Sequence, residues 1–187
     1  MKKALLLSKR AALEELWRQG ISGDALLHDQ SRLADDFILE CLEKAELNDL
    51  LPSISIVALG GYGREELFPF SDIDIMVLFD EEIGSEVSRV VDAILYPLWD
   101  TGLEVGHGVR TVVESVAHAK EDFFFRVAMI DARFIAGSRE LFNDLLARYK
   151  KRFVDGQREE FVKNMLEFRA ERREKYGSHS YLLEPNI

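Results

Sequence analysis

The 187 residues are 47% apolar and 31% charged, enough for a packed core in one domain, or one domain with an extension. A formal net charge of −10 opposes long-range attraction to DNA, RNA or an anionic membrane, yet leaves room for a pocket that holds one nucleotide through a few donors or metal ions. A single cysteine, Cys41, excludes an internal disulfide.

The N-terminal "MKKALLLSKR" has an apolar run too short for a signal-peptide core, and no run approaches the roughly 20 apolar residues of a membrane span. A cytoplasmic protein is the expectation. Leu13, Leu16 and Trp17 at helical spacing predict a helix over 8–19. After "GISGD", Ser22 or Asp24 can cap a second helix running to about Ala45. Its apolar stripe includes Leu33, Phe37, Ile38, Cys41 and Leu42, which predicts a buried, inert thiol. Pro52 breaks it, and "SISIVAL" reads as a short buried strand. "IDIMVLF" is a second strand, and residues 85–99 a helix with Val90, Ile94 and Leu98 inward and Trp99 ending it in the core. "GLEVGHGVRTVV" is extended, with a bulge expected at Gly106 or Gly108. Thr111 and Glu114 have capping-box spacing. From there the chain reads as helical, over about 114–135, 139–150 and 156–176, with Ser138 and Asp155 as caps. The expected layout is α+β: a helical lead-in over 1–50, a small mixed sheet over 51–113 and a helical extension over 114–187.

The chemistry concentrates between the first two strands. Gly60 and Gly61 follow the first strand directly, so their backbone can approach a ligand and aim N–H groups at phosphate oxygens. A short helix starting there would add a partial positive end. The turn is neither the dinucleotide fingerprint nor a Walker loop. Asp72 and Asp74 share one side of the second strand, while Ile73 and Ile75 face the core. Two adjacent carboxylates repel, and a divalent cation removes that repulsion. Glu104, between Leu103 and Val105, alternates with apolar neighbours as a strand residue should. Arg64 and Arg110 suit phosphate, and Arg64 could equally pair with Glu65 or Glu66 at the surface. Tyr62 could stack on or hydrogen-bond to a nucleotide. His107 could approach the site but suits a backbone-bonded loop, and "DFFFRV" (Phe123 to Phe125) suits packing rather than base stacking.

The joint pattern of Gly-Gly ending one strand and Asp-hydrophobic-Asp opening the next resembles the nucleotidyltransferase superfamily whose prototype is DNA polymerase beta. Four ordered blocks, "ALGGYGREELFPFSDIDIMVLF", "LWDTGLEVGHGVRTVVES", "DARFIAGSRELF" and "SYLLEPNI", resemble more closely the N-terminal catalytic domain of P-II protein uridylyltransferases, the bifunctional uridylyltransferase/uridylyl-removing enzymes. The resemblance implies a polymerase beta-like fold and transfer of UMP from UTP to a tyrosine of the P-II nitrogen-regulatory protein. On that reading Asp72, Asp74 and Glu104 are the catalytic metal ligands of a two-Mg²⁺ site, and Gly60, Gly61, Arg64 and Ser71 bind the nucleotide. The partners implied are UTP and P-II, with no nucleic acid polymer and no membrane. Gly108 departs from a serine common in the family. The family also continues into phosphohydrolase and glutamine-sensing domains. The expectation is therefore a piece of a longer chain, or a natural truncation, without those two functions. Adenylyl transfer, or a nucleotide-binding regulatory module without turnover, are the alternatives.

Overall fold

The computed structural model describes residues 3–176. Two helices lead in, α1 (Lys3–Arg18) and α2 (Gly23–Lys44). The first begins five residues earlier than the apolar spacing predicts. Ser22 caps α2 by accepting from the Ala25 N–H at 3.2 Å. A 3-10 turn at Leu51–Ser53 then delivers the chain into strand β1 (Ile54–Ala58). One helical turn, α3 (Gly60–Gly63), and a loop lead to β2 (Ile73–Phe79). Helix α4 (Val87–Asp100) crosses to β3 (Val105–Arg110), and α5 (Val112–Glu121) and α6 (Phe123–Ala128) lead to β4 (Arg133–Gly137). Helices α7 (Arg139–Phe153) and α8 (Arg158–Tyr176) come last.

The four strands lie in the order β3-β2-β1-β4. β1 runs antiparallel to both neighbours, whereas β2 and β3 are parallel. A parallel pair needs a crossover, which α4 supplies. One face of the sheet presents Ile54, Ile56, Ala58, Ile73, Ile75 and Val77 to α2 and α4, which contribute Phe37, Ile38, Val90, Ile94 and Leu98 to a single core. Each of the larger of these side chains, taken fully out of water, contributes roughly 1.5–3 kcal/mol. Cys41 is buried in this core, and desolvation raises its thiol above the ordinary range. On the opposite face, Met76 is buried against α5, where the Ser115 hydroxyl meets its sulfur at 3.5 Å.

Several expectations need correction. The stretch from 114 is not helical throughout, because Arg133–Gly137 forms the edge strand β4. β3 pairs with β2 residue by residue from Ile73↔Val105 to Leu78↔Arg110, without a bulge. The irregularity lies instead between Ile56 and Val57, where β1 meets β4. Trp99 is 42% exposed and packs edge-on to Tyr96 and His107 rather than in the core. Ser138 caps α7 through the Leu141 N–H at 3.3 Å, but α8 opens at Arg158, so Asp155 lies ahead of the capping position. "SYLLEPNI" and His179 fall outside the described residues.

The chain divides into two compact units, Met1–Leu145 and Leu146–Ile187. The first holds the whole sheet and its core. In the second, the described residues comprise the end of α7, where Tyr149 and Phe153 rings lie 5.4 Å apart, and α8, with an exposed Lys163–Glu167 ion pair. Among the described residues no helix is long and apolar enough to cross a membrane.

Candidate active site

The end of β1 and the start of β2 are stitched together by the Leu59 N–H donating to the Asp74 carbonyl at 3.0 Å. Directly after that bond the chain turns at Gly60, whose φ of +54° is the left-handed conformation that glycine adopts without penalty. The first i→i−4 bond of α3 runs from the Gly63 N–H to the Leu59 carbonyl. The N–H groups of Gly60, Gly61 and Tyr62 therefore have no partner within that turn. With one turn only, α3 offers backbone donors rather than a helix dipole.

Asp74 lies beneath this turn. Its Oδ2 is 3.6 Å from where a Cβ on Gly60 would stand, and a Cβ on Gly106 would collide with its Oδ1. Register explains the second contact: Asp74 pairs with Gly106 across the parallel β2–β3 ladder, where paired residues point to the same side. Only a residue without a side chain leaves room for the carboxylate there. Burial, and then the neighbouring Asp72, raise the Asp74 pKa above the ordinary aspartate range. Among the described residues neither aspartate makes an ion pair. Asp72 is exposed, one residue before β2 begins.

Glu104 is exposed, one residue before β3, and its carbonyl accepts from the Ile73 N–H at 2.9 Å. Continuing the register by one step sets Glu104 beside Asp72, on the side of the sheet that also carries Asp74 and Gly106. Yet among the described residues no three carboxylate, imidazole or thiolate side chains are gathered closely enough to hold a metal ion. The two aspartates nevertheless suit a divalent cation. Mg²⁺ takes one or two carboxylates with substrate phosphates filling the remaining positions, and a desolvated carboxylate beside a second one lacks a positive neighbour.

The basic candidates take different places. Arg64 is committed to surface ion pairs, Nε to Glu66 at 2.8 Å and Nη1 to Asp131 at 2.6 Å. Arg110 folds back over Gly108, filling the space a side chain there would need, and its guanidinium sits 5.2 Å from the Phe125 ring centroid. Ser71 is exposed beside Asp72, with its N–H donating to the Phe68 carbonyl at 3.1 Å. His107 lies within β3 rather than in a loop, on the side opposite Gly106 and 5.5 Å from the Trp99 ring. Phe123 lies under Arg126, Phe125 under Arg110, and Phe124 is 62% exposed, so the three rings point apart.

Tyr62 is not available for stacking on a ligand, being only 1% exposed. Its hydroxyl donates to Asp35 Oδ1 at 2.5 Å, and burial, with the charge of Asp35 second, pushes its phenol well above the ordinary value. Asp35 in turn accepts from Arg133 at 2.7 and 3.1 Å. No motif marks Asp35 or Arg133 in the sequence. The available signal was an acid four residues after Ser31 and three before Ile38, on the apolar side of α2, where a charge needs a partner.

Residues 41–132 match the nucleotidyltransferase domain family. Over 166 residues the chain is 39% identical to a bifunctional uridylyltransferase/uridylyl-removing enzyme of Novosphingobium aromaticivorans, a match covering 88% of this chain and 18% of that protein. A protein of the same name from Azospirillum brasilense is 38% identical over 174 residues, covering 89% and 18%. Another, from Bradyrhizobium diazoefficiens, is 36% identical over 193 residues, covering 99% and 21%. The chain spans about a fifth of the length of these curated relatives.

Proposed function

We propose, from the match of residues 41–132 to the nucleotidyltransferase domain family and of most of the chain to bifunctional uridylyltransferase/uridylyl-removing enzymes, that the chain transfers UMP from UTP to a tyrosine of the P-II regulatory protein. The observation that carries the chemistry is the Asp74 carboxylate, desolvated between Gly60 and Gly106 beside a second aspartate, with its pKa raised and no cation paired to it among the described residues. Such a group calls for a divalent counter-ion that arrives with an anionic substrate.

In the reaction the acceptor tyrosine oxygen forms a bond to the α-phosphorus of UTP. The bond from that phosphorus to the bridging oxygen breaks, pyrophosphate departs, and the phenolic proton passes to solvent. Asp72 and Asp74 would hold Mg²⁺, with Glu104 just ahead of the neighbouring strand as the third acid. Bound Mg²⁺ supplies charge neutralisation at the phosphates and a lower pKa for the attacking hydroxyl. The N–H groups of Gly60 and Gly61 cradle the phosphates, where preorganised donors act without reorganising. Ser71 contributes a hydroxyl at the edge of the site. Arg64 joins phosphate recognition only by exchanging Glu66 or Asp131 for a phosphate oxygen.

The test is incubation of the chain with radiolabelled UTP, Mg²⁺ and the cognate P-II protein, with ATP in parallel. Label from UTP on P-II is expected, and its loss in the Asp72→Asn, Asp74→Asn double variant with the fold retained. Transfer at the parental rate by that variant would overturn the assignment. Label from ATP alone would make the activity adenylyl transfer. A second reading is a nucleotide-binding module without turnover. Thermal protection by UTP and Mg²⁺ with no labelled acceptor would select it.

A further inference from the structure

Three elements far apart in sequence meet behind the glycine turn: Asp35 on α2, Tyr62 on α3 and Arg133 opening β4. We propose that they form a clamp that positions the turn, and through it the phosphate subsite, without touching substrate. The last step rests on the nucleotidyl-transfer reading above.

Arg133 is the centre of the clamp. Its two terminal nitrogens grip the Asp35 carboxylate at 2.7 and 3.1 Å, a bidentate fork that lysine cannot reproduce. One of them also donates to the Tyr62 carbonyl at 3.3 Å, and the guanidinium carbon lies 5.3 Å from the Tyr62 ring centroid. The Tyr62 hydroxyl closes the loop on Asp35 at 2.5 Å. Tyr62 is thus held at ring, hydroxyl and carbonyl, one residue past the Gly61 N–H.

The backbone supports the same seam. A Cβ on Gly63 would collide with the Asp131 carbonyl and stand 3.1 Å from the Ala58 carbonyl, so the turn packs directly on the segment that leads into Arg133. Arg64 pairs with the Asp131 carboxylate at 2.6 Å. The turn is therefore held by α2, by β4 and by the Met129–Asp131 segment, while Gly60 stands against Asp74. A half-buried ion pair is a poor device for stability alone, since apolar residues of similar volume often serve as well or better. Its directional bonds can, however, fix where a backbone turn sits.

The experiment uses Tyr62→Phe, Asp35→Asn and Arg133→Lys in the full chain. Hydrogen exchange reports the Gly60–Glu66 amides, and calorimetry reports binding of UTP with Mg²⁺. Tyr62→Phe keeps the ring and leaves Arg133 on Asp35, so it decides the matter even if Asp35→Asn fails to fold. The clamp predicts exchange at the turn faster by about tenfold or more, while β2 and α4 amides keep parental rates. It also predicts UTP binding weaker by a similar factor, with kcat changed less than KM in any measurable transfer. Parental exchange at the turn in Tyr62→Phe would overturn the proposal. So would uniformly faster exchange throughout the fold, which a merely structural role produces. If the parental chain binds no UTP, the exchange result still decides whether the clamp exists, and the substrate reading alone fails.

Discussion

Asp74 is the residue in which structure and chemistry pull against each other. Burial first, and the Asp72 charge second, raise its pKa. At a pH below the ordinary aspartate value the group is neutral in both the folded and unfolded chain, and its burial has no charge penalty. As pH rises, the unfolded chain releases its proton first, so the folded state binds more protons and stability falls. Above the raised folded value the full penalty applies. With a chelator present, Asp74→Asn should therefore melt at a higher temperature than the parent at neutral pH. The gain should shrink to nothing as pH is lowered past the ordinary aspartate range. Thermal melts across that range are the check, and a variant that melts lower than the parent at neutral pH would show that Asp74 makes contacts that outweigh its desolvation. Local stability commonly yields in this way at functional sites.

The two elements that carry the site, β2 and β3, depend on their pairing. "IDIMVLF" was legible as a strand over its whole observed span, because β-branched and apolar residues follow a turn and the two aspartates sit at its entry. The partnership with β3 was legible only as a neighbouring strand bearing Glu104. The match of Asp74 to Gly106 was not, since register is a tertiary property. Gly106 reads locally as a bulge; its actual reason is a carboxylate from the next strand. Replacing it tests this. Gly106→Ala should cost about 1–3 kcal/mol, the range for overpacking a filled site, and should weaken binding of UTP with Mg²⁺ by displacing Asp74. Gly108→Ala is the comparison, because its Cβ meets only the end of the Arg110 side chain, which can swing away. Urea unfolding and nucleotide titration of both variants decide it, and equal effects at the two positions would refute the register argument. β4 escaped the sequence for a related reason. "RFIAG" is five residues long at the sheet edge, and its apolar pattern is as compatible with a helix as with a strand that pairs on one side only. Missing β4 concealed Arg133, and with it the partner that Asp35 requires.

At the scale of the whole molecule, the division after Leu145 separates the chemistry from the C-terminal unit. The sheet, the glycine turn, both aspartates, Glu104 and the Asp35–Tyr62–Arg133 clamp all fall within Met1–Leu145, as does the entire match to the nucleotidyltransferase domain. Helix α8 is of another character: none of its described residues is buried, and its apolar residues Phe161, Val162, Met165, Leu166 and Phe168 are half-buried or exposed. Side chains that stay partly in water contribute only part of the stabilisation that full burial gives. The net charge of −10 likewise argues that the nucleotide is captured by a local device and not by a long-range field, so distant residues matter little to binding. Ending the chain after Phe153 retains α7, whose Phe142 and Leu145 belong to the buried set. That shortened chain should unfold cooperatively within about 4 °C of the parent, the shift that roughly 1 kcal/mol produces in a protein of this size. It should bind UTP with Mg²⁺ at parental affinity. Calorimetric melting and titration of the two forms are the measurements. A fall in melting temperature well beyond that range, or a loss of nucleotide binding, would mean that α8 completes the domain that carries the site.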